Sequence, residues 1–386
     1  MRYLSLLLFL LAPTSLKAVS ELYDLDPILE ASSPGQLIKL NPGVYVTKGS
    51  WEGGPTNLYL KPGVEIDGYG EGKTVVLCTN QSRTLHVTAL WGAGGNTVRD
   101  LSVGHSSLNF STETHTGKRN GIYLMPSKKR NAVYNSGVVG AYGNYRVMKE
   151  GFGLIIHGNN TVLSYVTITA PVGDYVQAIS IVGERGRVEN CIVTFPPSPI
   201  NGGLTCFGQG TGANTVWRGN FAKGGAAGFY FDTGNMSGIT LEDNTFLDNA
   251  VGVYVKNQYQ PGFFQVVSGL NIRTNHFIGS STNASYVAIS LNNSRLDNLP
   301  IPHNAGSIDN TIIAGNYFIG AYDIPILKAV SAASDCPTPR VGVAGINNVT
   351  LLGNKYPYGN WSHRNKLGNA TNFNAVSEAI LPLQSN

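Results

Sequence analysis

A five-residue phrase recurs along the chain, with its second and fourth positions apolar while the third and fifth change. Its copies include Gly121-Ile-Tyr-Leu-Met125, Gly153-Leu-Ile-Ile-His157, Ala178-Ile-Ser-Ile-Val182, Gly203-Leu-Thr-Cys-Phe207, Gly228-Phe-Tyr-Phe-Asp232 and Gly252-Val-Tyr-Val-Lys256. Weaker copies stand at Thr84-Leu-His-Val-Thr88 and Ala288-Ile-Ser-Leu-Asn292. Alternation with a period of two predicts strands buried on one face. From Gly153 to Gly252 the copies are 25, 25, 25 and 24 residues apart. A fixed step of this size predicts a solenoid.

A second phrase follows most copies of the first, as in Val162-Leu-Ser-Tyr-Val-Thr-Ile168, Arg187-Val-Glu-Asn-Cys-Ile-Val193 and Leu270-Asn-Ile-Arg-Thr-Asn-His-Phe277. Each turn therefore carries at least two strands. In this alignment Asn220, Asn244, Asn275, Asn316 and Asn354 share a column, and Phe246, Phe277, Phe318 and Tyr356 share another. Stacked amides bonding along an axis make an asparagine ladder, which is a structural device.

With its opening stretches Gly35-Gln-Leu-Ile-Lys-Leu-Asn-Pro-Gly-Val-Tyr45 and Leu60-Lys-Pro-Gly-Val-Glu-Ile-Asp-Gly-Tyr-Gly70, the chain resembles the right-handed parallel β-helix proteins of the pectin-lyase-like superfamily. The fold class expected is all-β, a solenoid of about 25-residue turns over residues 21–356. The segment 357–386 loses the repeat and is expected to cap the stack. One such fold hosts many activities, so the resemblance implies architecture more than function.

Composition supports short strands and tight turns: 47 Gly and 13% charged residues, against about 25% charged in an ordinary soluble domain. Residues 1–20 read as a secretory signal, with an apolar run from Leu4 to Leu11 and small residues at Ala18 and Ser20. The expected location is extracellular, with no membrane attachment after signal removal. Its removal takes Arg2 and Lys17 and no acid, leaving 25 basic against 23 acidic residues. With that balance, and no basic cluster beyond Lys128-Lys129-Arg130, nucleic acid is not the expected partner. Nine acceptor sequons, from Asn80 to Asn369, would mark surface positions in a eukaryotic exported protein. Four cysteines are too few for a disulfide scaffold.

If the second and fourth positions point inward, the third and fifth form two outward columns. The first runs His86, Tyr123, Ile155, Ser180, Thr205, Tyr230, Tyr254, Ser290, and the second Thr88, Met125, His157, Val182, Phe207, Asp232, Lys256, Asn292. This places Tyr230 over Tyr254 and Asp232 beside Lys256, flanked by Phe207 and His157, with Tyr259 in the loop that follows. An aromatic, sparsely charged groove suits sugar rings, so the expected partner is a polysaccharide.

Two chemistries compete. Glycoside hydrolysis usually needs two carboxylates, and the columns offer only Asp232, which Glu184, Asp174 or Glu150 would have to complement from loops. Elimination or C5-epimerisation of a uronic acid needs a base and a cation to steady the enolate. Asp232, Lys256, Tyr254 and His157 are the catalytic candidates for that. Tyr230, Phe207, Tyr259 and Arg273 are the substrate-binding candidates. No metal ligand set stands out and no cofactor is required, although Ca²⁺ could take part. A lyase or epimerase ranks ahead of a hydrolase, and a non-catalytic carbohydrate-binding or structural β-helix is the alternative.

Overall fold

The computed structural model describes residues 22–51, 59–80, 82, 85–105, 119–139, 151–169, 176–197, 203–231, 234–256, 266–279, 287–293, 307–320, 327–331, 346–355, 366–367 and 371–376. Residues 1–20, Tyr356, Asp232 and Tyr259 lie outside them. The described chain is a right-handed parallel β-helix. Each turn visits three parallel sheets in order, as Gly151–His157, Val162–Ser164 and Thr167–Thr169 do. These are called here the face sheet, the charged sheet and the third sheet. Their strands pair in parallel with the same elements of the next turn, and the described exception is Ser50–Trp51, antiparallel to Val87–Gly92.

The corner between the charged and third sheets explains the asparagine column. There one residue per turn takes a left-handed conformation: Asp100, Asn135, Tyr165, Asn190, Gly219, Asp243, Thr274, Gly315 and Gly353 have φ between 44° and 64°. The next residue then turns inward. In the later turns it is Asn220, Asn244, Asn275, Asn316 and Asn354, all buried. The Asn244 Oδ1 accepts from both the backbone N–H and the Nδ2 of Asn220 at 2.9 Å. The same pair of bonds joins Asn244 to Asn275, Asn275 to Asn316 and Asn316 to Asn354. Each of these four inner Nδ2 groups also donates to a backbone carbonyl one turn back, as Asn275 does to Leu241. The ladder thus satisfies amides that an apolar column would leave bare. Its first rung is the Cys191 N–H, bonded to Asn220 Oδ1 at 2.9 Å.

The phrase begins with Gly or another small residue for a packing reason. A Cβ on Gly228 would stand 2.5 Å from the Phe246 ring, and one on Gly252 would stand 2.6 Å from both the Phe277 ring and the Ala288 carbonyl. Phe246, Phe277 and Phe318 stack with centroids 5.1 Å apart and fill that corner of the core. Large rings on one strand require bare backbone on the next.

Two of the predicted registers change. Phe207 pairs with Ile179 and Phe229, and Gly208 with Ser180 and Tyr230, so the steps there are 28 and 22 residues and not 25 and 25. Phe207 is buried, its ring 5.8 Å from that of Trp217, which in turn meets Phe229 edge-on at 4.9 Å. Every residue of Leu204–Gln209 is buried, so alternation could not say which side faces in. At the N-terminal end Trp91, and not His86, pairs with Tyr123. The parallel stack also continues past residue 356. Lys366–Leu367 pairs with Leu327–Ser331, and Thr371–Val376 with Ile346–Leu352. At the other end the helix Asp26–Ala31 covers the core with Leu29, while Leu25 just before it is equally buried.

Gly252→Ala should destabilise the protein by about 1–3 kcal/mol, because neither the stacked ring nor the backbone carbonyl can give way cheaply. Chemical denaturation of the purified variant reads this directly.

Candidate functional site

The face sheet presents one outward column through nine turns. It runs Tyr59, Trp91, Tyr123, Ile155, Ser180, Gly208, Tyr230, Tyr254 and Ser290, with the backbone of Lys328 next in register. Because parallel strands repeat at roughly 4.8 Å, the column is a ruler as well as a surface. Aromatic groups stand at both ends of its central part. Tyr59 stacks on Trp91 at 5.1 Å, Trp91 meets Tyr123 at 5.3 Å, and Tyr123 meets the His157 imidazole at 5.3 Å. On the other side Tyr230 and Tyr254 have centroids 5.7 Å apart.

Between these groups the relief drops. Ser180 and Gly208 replace aromatic side chains, and Gly210 follows Val182 in the neighbouring column. Ser180, Gly208 and Tyr230 are buried, whereas Trp91, Tyr123, Ile155 and Tyr254 are half-buried. Side-chain size along the column therefore falls at Ser180 and Gly208 and rises again at Tyr230 and Tyr254, and Gln177 stands over Gly208, where a Cβ would meet its Oε1 at 3.1 Å. Next to Gly208, Gln209 points into the core, where its Oε1 accepts from the Trp217 indole N–H at 3.2 Å.

The structure divides the candidate residues. His157 ends the strand Gly151–His157, half-buried, its carbonyl accepting from Asn131 Nδ2 at 2.8 Å. It lies four strands from Tyr254, roughly 19 Å at one strand spacing per step. The two cannot share a proton, and His157 belongs with Trp91 and Tyr123. Tyr254 stands with Tyr230, and Lys256 ends the same strand opposite Asn292. Phe207 is a core residue and cannot touch a substrate. Asp232 and Tyr259 are outside the described residues, as are Asp174 and Glu150. Glu184 sits in the corner after the face sheet, 3.6 Å from Arg185.

Arg273 is on the wrong sheet for the predicted role. It belongs to the charged sheet, in register with Glu242, and Glu242 with Arg218. Its Nε donates to Glu242 at 2.8 Å, and Arg218 holds the other carboxylate oxygen. Glu242 is only 5% exposed. Burial alone would raise its pKa, but the hydrogen bonds and charges of the two arginines outweigh that and hold the carboxyl below its ordinary range.

Sequence reasoning missed Tyr59 and Trp91. Trp91 is followed by Gly92, which breaks the apolar–variable–apolar phrase because a Cβ there would stand 2.5 Å from Asn96 Oδ1. The signal available was the spacing from Tyr123 and the Tyr-Leu pair at Tyr59-Leu60. Burial pushes the Tyr123 phenol up and the His157 imidazole down, so near neutral pH both are uncharged. Among the described residues no three His, Cys, Asp or Glu side chains gather as a metal-ion set. Cys191 is buried and its thiol is pushed up to about 12, so it is not a nucleophile.

By sequence, the chain matches no protein-family model and no curated protein. By structure, it is similar to the A-module of the mannuronan C-5 epimerase AlgE6 of Azotobacter vinelandii. That match has a TM-score of 0.56 and 17% identity, and covers 94% of this chain and 97% of the other. It is also similar to the PL6-family polysaccharide lyase Pedsa3628 of Pseudopedobacter saltans, with a TM-score of 0.49 and 10% identity over 95% and 94% of the two chains. The catalytic unit of a GH87 α-1,3-glucanase of Streptomyces thermodiastaticus matches at 0.48 and 13% identity, over 86% and 55%. At 17% identity the match to the AlgE6 A-module shows the fold alone, a right-handed parallel β-helix.

Two outcomes follow from these placements. Arg273→Ala should cost about 1–2 kcal/mol of stability by stripping a buried carboxylate of one partner, as read by chemical denaturation. The lowered pKa of His157 means that the unfolded chain takes up its proton first as pH falls. Stability from this residue is present above about 6.5 and is lost as pH drops toward the folded-state value. His157→Gln should therefore flatten the acid side of a melting-temperature profile.

Proposed function

We propose that the protein is an exported, polysaccharide-active β-helix protein that holds a sugar chain along the outward column of the face sheet and acts on it at the Tyr254–Lys256 end. The observation that carries this is the column itself, aromatic at Trp91–Tyr123 and at Tyr230–Tyr254 with the small residues Ser180 and Gly208 between them. Sugar rings offer an apolar face and a hydroxylated edge, and a column of aromatic side chains interrupted by small polar positions suits both. The neighbour with the TM-score of 0.56 is named as an epimerase of mannuronan, which is consistent with this reading. The apolar stretch in residues 1–20 supports export.

Within this reading the chemistry is proton transfer at the carbon bearing a uronate carboxylate. Hydrolysis usually needs a carboxylate pair, and by sequence the two outward columns offer Asp232 alone. Tyr254 is assigned to carry the proton, and Lys256, the next position of the same alternation, to steady the enolate charge. Asp232, the residue after Phe231, is assigned to orient Lys256. Protonation of the opposite face of that carbon by a water molecule, with Tyr254 keeping the proton it removed, gives the epimer. Departure of the neighbouring 4-oxygen, with formation of the 4,5 double bond, gives the lyase products. No step here requires a metal ion, and Ca²⁺ is tested as a separate variable.

The test is a panel of uronic-acid and neutral polysaccharides, with Ca²⁺ and with a chelator. Unsaturated-product absorbance, reducing ends and C5 configuration by NMR are followed together. Tyr254→Phe should lower turnover on the order of 10²–10⁴-fold while affinity stays within a few fold. Full turnover in that variant would place the chemistry elsewhere. Binding without any product from the unaltered protein would favour the carbohydrate-binding alternative.

A further inference from the structure

The three cations Lys128, Lys129 and Arg130 are exposed, and among the described residues no ion pair involves them. Their position is defined by the glycines around them. A Cβ on Gly94 would lie 2.6 Å from Ser127, one on Gly95 would lie 2.9 Å from Lys129, and one on Gly158 would lie 3.4 Å from Pro126. The segment 126–130 therefore runs along the corner of the face sheet from the turn that follows Trp91 to the turn that follows His157. Those are the turns that carry the aromatic group Trp91, Tyr123 and His157.

Resting on the polysaccharide-active reading above, we infer that this end of the face is a remote subsite for carboxylated sugar units. Trp91 and Tyr123 pack the ring, and Lys128, Lys129 and Arg130 neutralise the carboxylates. Along the same corner Glu184 and Arg185 stand two turns on and pair with each other, and Lys61 stands two turns back, which leaves the balance positive. Tyr123 is five strand spacings from Tyr254, roughly 24 Å, and one spacing is close to the length of one pyranose unit. A chain that reaches both ends needs about six units. The subsite thus gives the protein a preference for long polyuronates over short ones, through affinity and not through the chemical step.

The experiment compares the full-length protein with its K128Q/K129Q/R130Q variant, whose changes are all on exposed side chains, and with Trp91→Ala. Steady-state turnover and binding are measured on linear polyuronate oligomers of defined length and on a neutral polysaccharide, at low and at high salt. The triple variant should raise KM for long polyuronates about tenfold with kcat unchanged, lose most of the salt dependence, and behave as the parent on trimers. Trp91→Ala should raise KM on the same long chains without changing the salt dependence. If the triple variant matches the parent on long chains at both salt levels, or if only neutral chains are bound, the subsite is refuted and the polysaccharide reading stands. If the parent binds no polysaccharide of either kind, both fall.

Discussion

The structure depends on one constraint, the fixed spacing of hydrogen-bonded parallel strands. Once a turn is laid on the previous one at roughly 4.8 Å, each residue's main neighbour is its own equivalent one turn away. Like must then tolerate like. Asparagine does so by bonding amide to amide from Asn220 to Asn354, phenylalanine by stacking from Phe246 to Phe318, and His276 by lying parallel to Tyr317 at 4.8 Å. Charges cannot, and on the charged sheet they alternate: Glu189, Arg218, Glu242 and Arg273 occupy successive turns.

The same constraint shapes the face sheet. Its inner positions are filled by Ile122, Leu154, Ile179, Phe207, Phe229, Val253 and Ile289, one per turn. Held rigid by that column, the outer positions differ from turn to turn without cost to the fold. Variation there is free to serve a ligand. The change from Trp91 and Tyr123 to Ser180 and Gly208, and back to Tyr230 and Tyr254, is the largest such variation among the described residues of the column. It gives the surface its relief and the functional reading its basis.

The 25-residue step holds for only part of the chain, since Trp91, Tyr123 and Ile155 follow one another at 32 residues and Tyr254 and Ser290 at 36. The solenoid and the pairing of Tyr230 with Tyr254 were legible because the same alternation recurs turn after turn. The registers of Phe207 and His86 were not. Strand Leu204–Gln209 is buried on both sides, and the turns around it are 28 and 22 residues long, so a constant step slides the alignment. Arg273 misled for a different reason. Its phrase belongs to another sheet, and a position two strands along the turn can be close in sequence to the face while facing away from it. Burial of Glu242 was invisible in the alternation, because two flanking arginines, and not the core, enclose it.

The central claim is that a sugar chain lies along the outward column of the face sheet. Hydrogen exchange with and without a bound polyuronate oligomer, followed by mass spectrometry of peptides, tests it most directly. The account predicts slower exchange in peptides covering 119–130, 151–158 and 251–256 and no change in those covering 187–189, 216–218 and 271–273. Protection confined to the charged sheet, or spread evenly over all three sheets, would contradict it.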